Sequence, residues 1–327
     1  MKITLSHGSG GLETSELIES VFLKHFRNEF TRPEDAAVLP FPAERLAFTA
    51  DSFVVQPLFF PGGDIGRLAV CGTVNDLLTT GGTPLYLSAS FIIEENCDTE
   101  LLGAVAASMR AAADEAGVRI VTGDTKVIEG RGGLSIGTAG VGVAGDVSAR
   151  SIQPGDAILV SGALGDHHAC ILSQRMGIRN GIASDAAPLT EMVAALRGCG
   201  APVHCLRDIT RGGLATVLNE VAGIAASGAG LRAELEERAL PVSDAVSGLC
   251  RILGLDPLTM GNEGKMLVAV PESWAGRALE LIQKSRYGEN AAVIGHFTEG
   301  SGVTLHTAIG GLRQVPPLSG EGLPRIC

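Results

Sequence analysis

The sequence predicts a two-domain α/β protein of mixed, α+β character, and three observations carry that expectation. Its 327 residues are enough to bury two cores of ordinary size. Aromatic residues make up only 4% of the chain while apolar residues make up 45% and glycine numbers 44. The interior must therefore be built from Ala, Val, Ile and Leu between many tight turns, which favours α/β over an all-β sandwich. Finally, strand-like alternation and Ala-rich helical periodicity succeed one another through both halves of the chain.

A formal net charge of -11 with no basic patch argues against nucleic acid or an anionic membrane as a partner. The seven cysteines (Cys71, Cys97, Cys170, Cys199, Cys205, Cys250 and Cys327) are odd in number and scattered, and no CxxC pair marks zinc or a dithiol centre. They read as free thiols in a reducing cytoplasm. The first residues turn polar at once and no run of 18 apolar residues occurs, so neither export nor a membrane span is expected.

Taken in order, Ser6-His7-Gly8-Ser9-Gly10-Gly11 is a glycine-rich loop entering a helix with Leu17, Ile18, Val21, Phe22 and Phe26 on one face. Backbone N–H groups at Gly8, Gly10 and Gly11 can converge on an anion, and an ordinary flexible lead-in explains them equally well. Three acidic positions follow. Asp35 precedes Ala36-Ala37-Val38, Asp51 sits within a strand over 46–55, and Asp76 lies close to the apolar face of a helix over 67–80 that stops at Gly81-Gly82. A charge in mid-strand is costly unless it has a partner or a site. Singly, each aspartate fits a cap or turn; together they point to a cation site.

Residues 85–94 read as a strand, 99–116 as a helix ended by Gly117, and 118–122 as a strand running into Gly123-Asp124-Thr125-Lys126. That puts a carboxylate and an ammonium at the lip of a sheet, where open α/β folds place their sites, or in a solvated turn. A strand over 134–144 closes a first domain of residues 1–150, and Pro154-Gly155-Asp156 marks the linker.

The second domain, 151–315, opens with a strand over 157–161. His167-His168 with Cys170 does not make a metal site, because neighbouring helical residues diverge and no second cluster completes four ligands. The strand 203–206 leads to Arg207-Asp208-Ile209-Thr210-Arg211-Gly212-Gly213 and a helix to 226, placing Asp208 beside the free N–H groups of a helix start at Gly212 and Gly213. Glu263, in Met260-Gly261-Asn262-Glu263-Gly264-Lys265, is either a general base or a solvated turn residue, and the segment departs from a P-loop at Thr259 and Met266. A helix over 272–284 and strands over 291–297 and 303–307 finish the domain. Residues 316–323 are rich in Pro, Gly and Ser, so the closing Pro324-Arg325-Ile326-Cys327 is expected to be a mobile tail whose thiol carries a group between sites.

The ordered set of glycine-rich start, Asp35-Ala36-Ala37-Val38, Thr49-Ala50-Asp51, Asn75-Asp76-Leu77, Gly81-Gly82-Thr83-Pro84, Gly123-Asp124-Thr125-Lys126 and Asp208-Ile209-Thr210-Arg211-Gly212-Gly213 resembles the ATP-dependent family of aminoimidazole ribonucleotide synthetase and selenophosphate synthetase. The terminal Pro324-Arg325-Ile326-Cys327 resembles its hydrogenase-maturation branch. The resemblance implies a two-domain fold whose N-terminal domains pair through their sheets into a homodimer, with ATP beside the interface. It further implies that a carbamoyl group, placed on Cys327 by the carbamoyltransferase HypF, is dehydrated with ATP to a thiocyanate. The cyano group then passes to iron on a HypC–HypD complex for a [NiFe]-hydrogenase. By similarity, Asp35, Asp76 and Asp208 hold Mg2+. Asp51, Asp124, Thr125, Gly8, Gly10, Gly11, Asp208, Gly212 and Gly213 contact the nucleotide. Glu263 is the proposed base, and Lys126 the group on phosphate or on the developing charge.

Two other readings compete. A selenophosphate synthetase is expected to carry Cys or selenocysteine in the N-terminal glycine-rich region, and residues 6–11 have neither. A non-catalytic nucleotide-binding scaffold presenting its tail leaves the acidic set without a purpose.

Overall fold

A computed structural model describes residues 2–9, 11–31, 36–225, 230–320, 323 and 325–327. Gly10 and Asp35, both candidate ligand contacts, and Pro324 of the terminal motif lie outside the described residues. After a 3-10 turn at Leu5–Gly8 come α1 (Leu12–Leu17) and α2 (Lys24–Phe26), joined by a π-helical stretch over Ile18–Leu23. Val21 and Phe22 are both buried there, Phe22 with its ring 4.4 Å from that of Phe91. The periodicity predicts one helix with both residues on a single face, and the structure interrupts it with the π-helical turn while keeping both buried.

The first sheet is built from β1 (Leu46–Phe53), β4 (Thr83–Glu94), β5 (Arg119–Ile128) and β6 (Leu134–Val143), with a small ribbon of β2 (Phe59–Phe60) and β3 (Gly63–Asp64). Strand order is β1-β6-β4-β5, so β1 and β5 are its two edges. Helices α3 (Ile65–Leu78) and α4 (Thr99–Ala116) cover one face. Asp64 caps α3 by accepting the Gly66 and Arg67 N–H groups, at 2.7 and 3.1 Å, and α4 ends where Gly117 takes a left-handed conformation. The other face stays open, with Phe48 65% and Ile92 46% exposed.

The second sheet contains β7 (Asp156–Val160), β8 (Cys205–Asp208), β9 (Leu231–Glu236), β10 (Met266–Pro271), β11 (Ala292–Glu299), β12 (Gly302–His306) and β13 (Leu312–Gln314), ordered β13-β12-β9-β11-β7-β10-β8. One face packs on α7 (Gly213–Ala225); the other packs on α5 (Asp166–Met176), α6 (Thr190–Gly198), α8 (Asp244–Leu253) and α9 (Ala275–Lys284). The interior strand β7 is buried along its whole length, as the apolar run at 157–160 requires, and Asp156 at its start accepts the Gln153 N–H at 2.8 Å.

Three expectations change. The two cores do not coincide with the two domains: one runs unbroken from Ile3 and Phe53 through to Ile282 and Ile326, and the other fills the space between the second sheet and α7. Gly123-Asp124-Thr125-Lys126 is not a lip after a strand, because pairing with β4 carries β5 through it to Ile128. The sequence pattern also left α6, α8, β9 and β13 unassigned.

The seam between the domains is closed by polar groups on α3. The buried Asn75 amide donates to the Ala187 carbonyl and accepts the Leu189 N–H, both at 2.9 Å. Arg67 donates to the Ala186 carbonyl at 2.7 Å and pairs with Glu115 at 2.9 Å, while the Tyr287 hydroxyl donates to Glu115. Asn75→Ala strands one buried carbonyl and one buried N–H, so it is expected to cost about 2–4 kcal/mol. Urea unfolding monitored by circular dichroism measures the loss; an unchanged midpoint would contradict this account of the seam.

Candidate functional site

The site grows from the open end of this seam. Thr49 and Asp51 alternate along β1 on the face turned to α3, and the Thr49 hydroxyl donates to Asp76 Oδ2 at 2.8 Å. Asp208 ends β8, which packs against α3 from the second domain. Glu263 comes three residues before β10 and is 4% exposed, so it is not a solvated turn residue. Its loop is locked: the Glu263 N–H donates to Asp185 Oδ1 at 2.9 Å, and the Asn262 amide bonds the Ile209 and Met260 carbonyls, each at 3.1 Å, and the Gly165 N–H at 2.7 Å.

These carboxylates feel one another. Burial, then the charge of Asp208, lifts Asp76 to about 6, against the stabilising Thr49 bond. Asp208 is raised by burial, opposed by Arg207. Glu263 is held far above the usual carboxylate range by burial and then by Asp185, Asp208 and Asp51. Four acidic side chains from β1, α3, β8 and the 260–265 loop thus converge on one poorly solvated place. Among the described residues no three His, Cys, Asp or Glu side chains form a closed metal cage. A hard cation suits the set nonetheless: magnesium keeps several waters and takes one or two carboxylates together with phosphate oxygens.

Cys327 meets the cluster. Val54 donates its N–H to the Cys327 carbonyl at 3.0 Å, and Gln56 donates to the Arg325 carbonyl at 3.1 Å, so the chain end lies alongside the stretch after β1, with Arg325 in the left-handed region at φ 52°. Ile326 is 6% exposed and joins the core that crosses the seam. The Cys327 thiol is hydrogen-bonded to the Glu263 carboxyl, and burial, followed by the Glu263 charge, pushes its pKa up against the pull of Arg211. In this docked position Cys327 is a neutral thiol at neutral pH. The expected mobile tail is therefore recorded with its end seated.

The remaining candidates are elsewhere. Asp124 and Lys126 form an exposed ion pair at 3.4 Å on β5, on the sheet face turned away from α3 and opposite Ser90 and Ile92 of β4. Three strand spacings, about 14 Å, separate β5 from β1. Within one chain, then, Asp124, Thr125 and Lys126 are not brought to Glu263. Gly8 does meet β5: a Cβ there would lie 2.8 Å from the Val127 nitrogen, so the glycine allows that close approach. Gly11 is exposed at the start of α1. Gly213 is explained by packing, since its φ is 63° and a Cβ would collide with the Leu258 carbonyl at 2.5 Å; Gly212 sits beside it in the same turn.

Sequence reasoning missed Asp185, which comes from the irregular stretch before α6 and carries no periodic signal. Its Oδ2 is buried without a hydrogen-bond partner among the described residues, with Lys265 Nζ 3.5 Å away, on the wall of a cavity of about 530 Å³ also bounded by Asp166, Arg67 and Tyr287. His167 and His168 diverge as expected: His168 accepts the Gly261 N–H at 3.5 Å, and His167 turns to Ser184 and the chain end.

This architecture belongs to a known class. Residues 33–144 match the N-terminal domain and residues 153–307 the C-terminal domain of the AIR synthase related proteins. Within that class the chain belongs to the carbamoyl dehydratase HypE family. It is 48% identical to "Carbamoyl dehydratase HypE" of Rhodobacter capsulatus over 340 residues, covering 100% of this chain and 98% of the relative. A solved structure of the hydrogenase maturation protein HypE in complex with ATP superposes with a TM-score of 0.94 at 44% identity, covering 99% of both chains. A chain from a HypE–HypF complex superposes at 0.81 and 43% identity, covering 92% of this chain and 99% of that one.

Mutual repulsion in the cluster has a pH signature. The folded state holds the Asp76 proton up to about pH 6, above the ordinary value of 3.8, so ionisation costs the fold stability as pH rises through that window. Asp76→Asn, which keeps an acceptor for Thr49, should raise stability at pH 8 by about 1–2 kcal/mol. The gain should shrink below pH 6 and vanish below about pH 4. Urea titrations at both ends of that range test it, and an equal gain at each would contradict the electrostatic cause.

Proposed function

We propose that the chain is an ATP-dependent carbamoyl dehydratase that acts on its own Cys327, converting an S-carbamoyl group to a thiocyanate that supplies the cyanide ligand for [NiFe]-hydrogenase iron. The observation that carries this reading is the Cys327 thiol held against the buried Glu263 inside an acidic cluster. A thiocarboxamide oxygen is a poor leaving group. As its oxygen attacks the γ-phosphorus of ATP, one N–H proton departs, leaving ADP and an S–C(=NH)–O–phosphate. Loss of the second N–H proton and expulsion of phosphate leave S–C≡N. Glu263 takes the first proton, burial and the neighbouring carboxylates having raised its proton affinity, and the departing phosphate carries off the second. Asp76 and Asp208, with Asp51 beside them, hold Mg2+, which when bound neutralises phosphate charge. Asp35 completes the set by similarity.

Lys126 and Asp124 enter from a second copy. Two first domains pairing through the open sheet face around Phe48 and Ile92 form a homodimer, and pairing across a two-fold axis lets the β5 edge of one copy serve the β1 edge of the other. HypF loads the carbamoyl group and the HypC–HypD complex receives the cyano group, in a cytoplasm that keeps the seven thiols free.

Mass spectrometry of Cys327 tests the chemistry. After incubation with HypF, carbamoyl phosphate and ATP, Cys327 should gain a carbamoyl group and then lose one water with Mg-ATP. Glu263→Gln should stop after the gain, its dehydration slowed roughly a hundredfold or more. A wild-type chain that hydrolyses ATP with Cys327 unmodified would sink the reading.

Mixed dimers test the pairing. Asp208→Asn and Lys126→Ala homodimers should each be inactive, and mixing and reannealing them should restore about a quarter of wild-type dehydration, from one intact site in half the dimers. No recovery would place Lys126 in its own chain's site or outside it.

A further inference from the structure

We propose that His167 and Arg175, two turns apart on α5, are positioning residues that grip the main chain of the last three residues and so set how much of the time Cys327 stands against Glu263. The inference rests on the dehydratase reading only for the purpose of the grip, not for its existence.

Every main-chain carbonyl of the chain end has a donor. The Arg325 carbonyl takes the Gln56 N–H and the Arg175 guanidinium, the Ile326 carbonyl takes His167 Nε2 at 2.7 Å, and the Cys327 carbonyl takes the Val54 N–H. Arg175 is tied in turn to the Gln56 carbonyl at 2.7 Å, so one guanidinium bridges the two paired stretches. The tautomer of His167 follows from its other neighbour. Ser184 Oγ accepts the Ala186 N–H at 3.1 Å, which leaves its own proton for His167 Nδ1 at 2.7 Å, so Nε2 carries the ring proton and donates to Ile326. The ring is wholly buried and lies edge-on to Phe60, at 5.6 Å. A histidine filling core space needs no aligned carbonyl; this one has its free N–H spent on the tail.

Contact with main chain has a chemical consequence. The donors reach carbonyls and not the sulfur, so thiol, thiocarboxamide and thiocyanate forms of Cys327 all engage the same grip. Cys327 must be reached by a carbamoyltransferase and then return to Glu263. Weakening the grip therefore favours the first encounter and disfavours the second.

The test uses the full chain in a Cys199→Ser background, since Cys199 is the other cysteine that is not buried. Alkylation of Cys327 by iodoacetamide, followed by peptide mass spectrometry, reads the undocked fraction without any partner. Losing one donor to a buried carbonyl is expected to speed alkylation roughly tenfold in His167→Phe and in the half-exposed Arg175→Ala. His167→Gln, which keeps an N–H, should recover part of the protection. Carbamoylation by HypF should hold or rise in both variants while single-turnover dehydration falls by roughly the same tenfold. Equal alkylation of wild type and Arg175→Ala overturns the proposal, as does a parallel fall in carbamoylation and dehydration. If wild type protects Cys327 but never dehydrates it, the dehydratase reading fails and the grip stands.

Discussion

The amide of Asn75 is the contact on which the site depends. A primary amide presents a donor and an acceptor in fixed geometry, and here both are spent on the backbone of one incoming segment, at Ala187 and Leu189. That fixes the second domain against α3 in one register. Asp76, the next residue, then has Asp208 as a neighbour, and Asp185, two residues before Ala187, can support the loop of Glu263. The core itself crosses the seam, so the two domains are packed against each other around the acidic cluster.

The cluster is costly to the fold. Asp76, Asp208 and Glu263 each have their proton affinity raised first by burial and then by one another or by Asp51 and Asp185. A cation and phosphates would divide this repulsion into two uses. Carboxylates facing the metal would lose their protons, while Glu263, deeper and beside Cys327, would keep the basicity that the proposed mechanism asks of it.

Much of this was legible in the chain itself. The helix at Thr99–Ala116 has its expected bounds because Asp98 and Gly117 are strong stop signals at either end. Asp51 was marked by a charge in mid-strand, and Glu263 by glycines whose role was ambiguous until burial resolved it. Other features depend on partners distant in sequence. Gly123-Asp124 has the composition of a turn, yet nine residues of parallel pairing with β4 hold it extended. Asp185 and Ser184 lie in a stretch with no periodicity, and His167, set aside as a metal ligand, had no other role in the sequence because the carbonyl it serves is 159 residues away. A Pro/Gly/Ser composition speaks of reach, not of where the chain end comes to rest.

The hydrogen bonds from Val54 and Gln56 to Cys327 and Arg325 fix the register of the chain end. In that register Ile326 enters the core while the Cys327 thiol turns to Glu263. The stretch at 316–320 is exposed and is tied back to the body where the Leu318 N–H donates to Thr216 Oγ1 at 3.1 Å. One residue inserted between Ile326 and Cys327 would break this register and carry the sulfur away from the place where Glu263 waits for it.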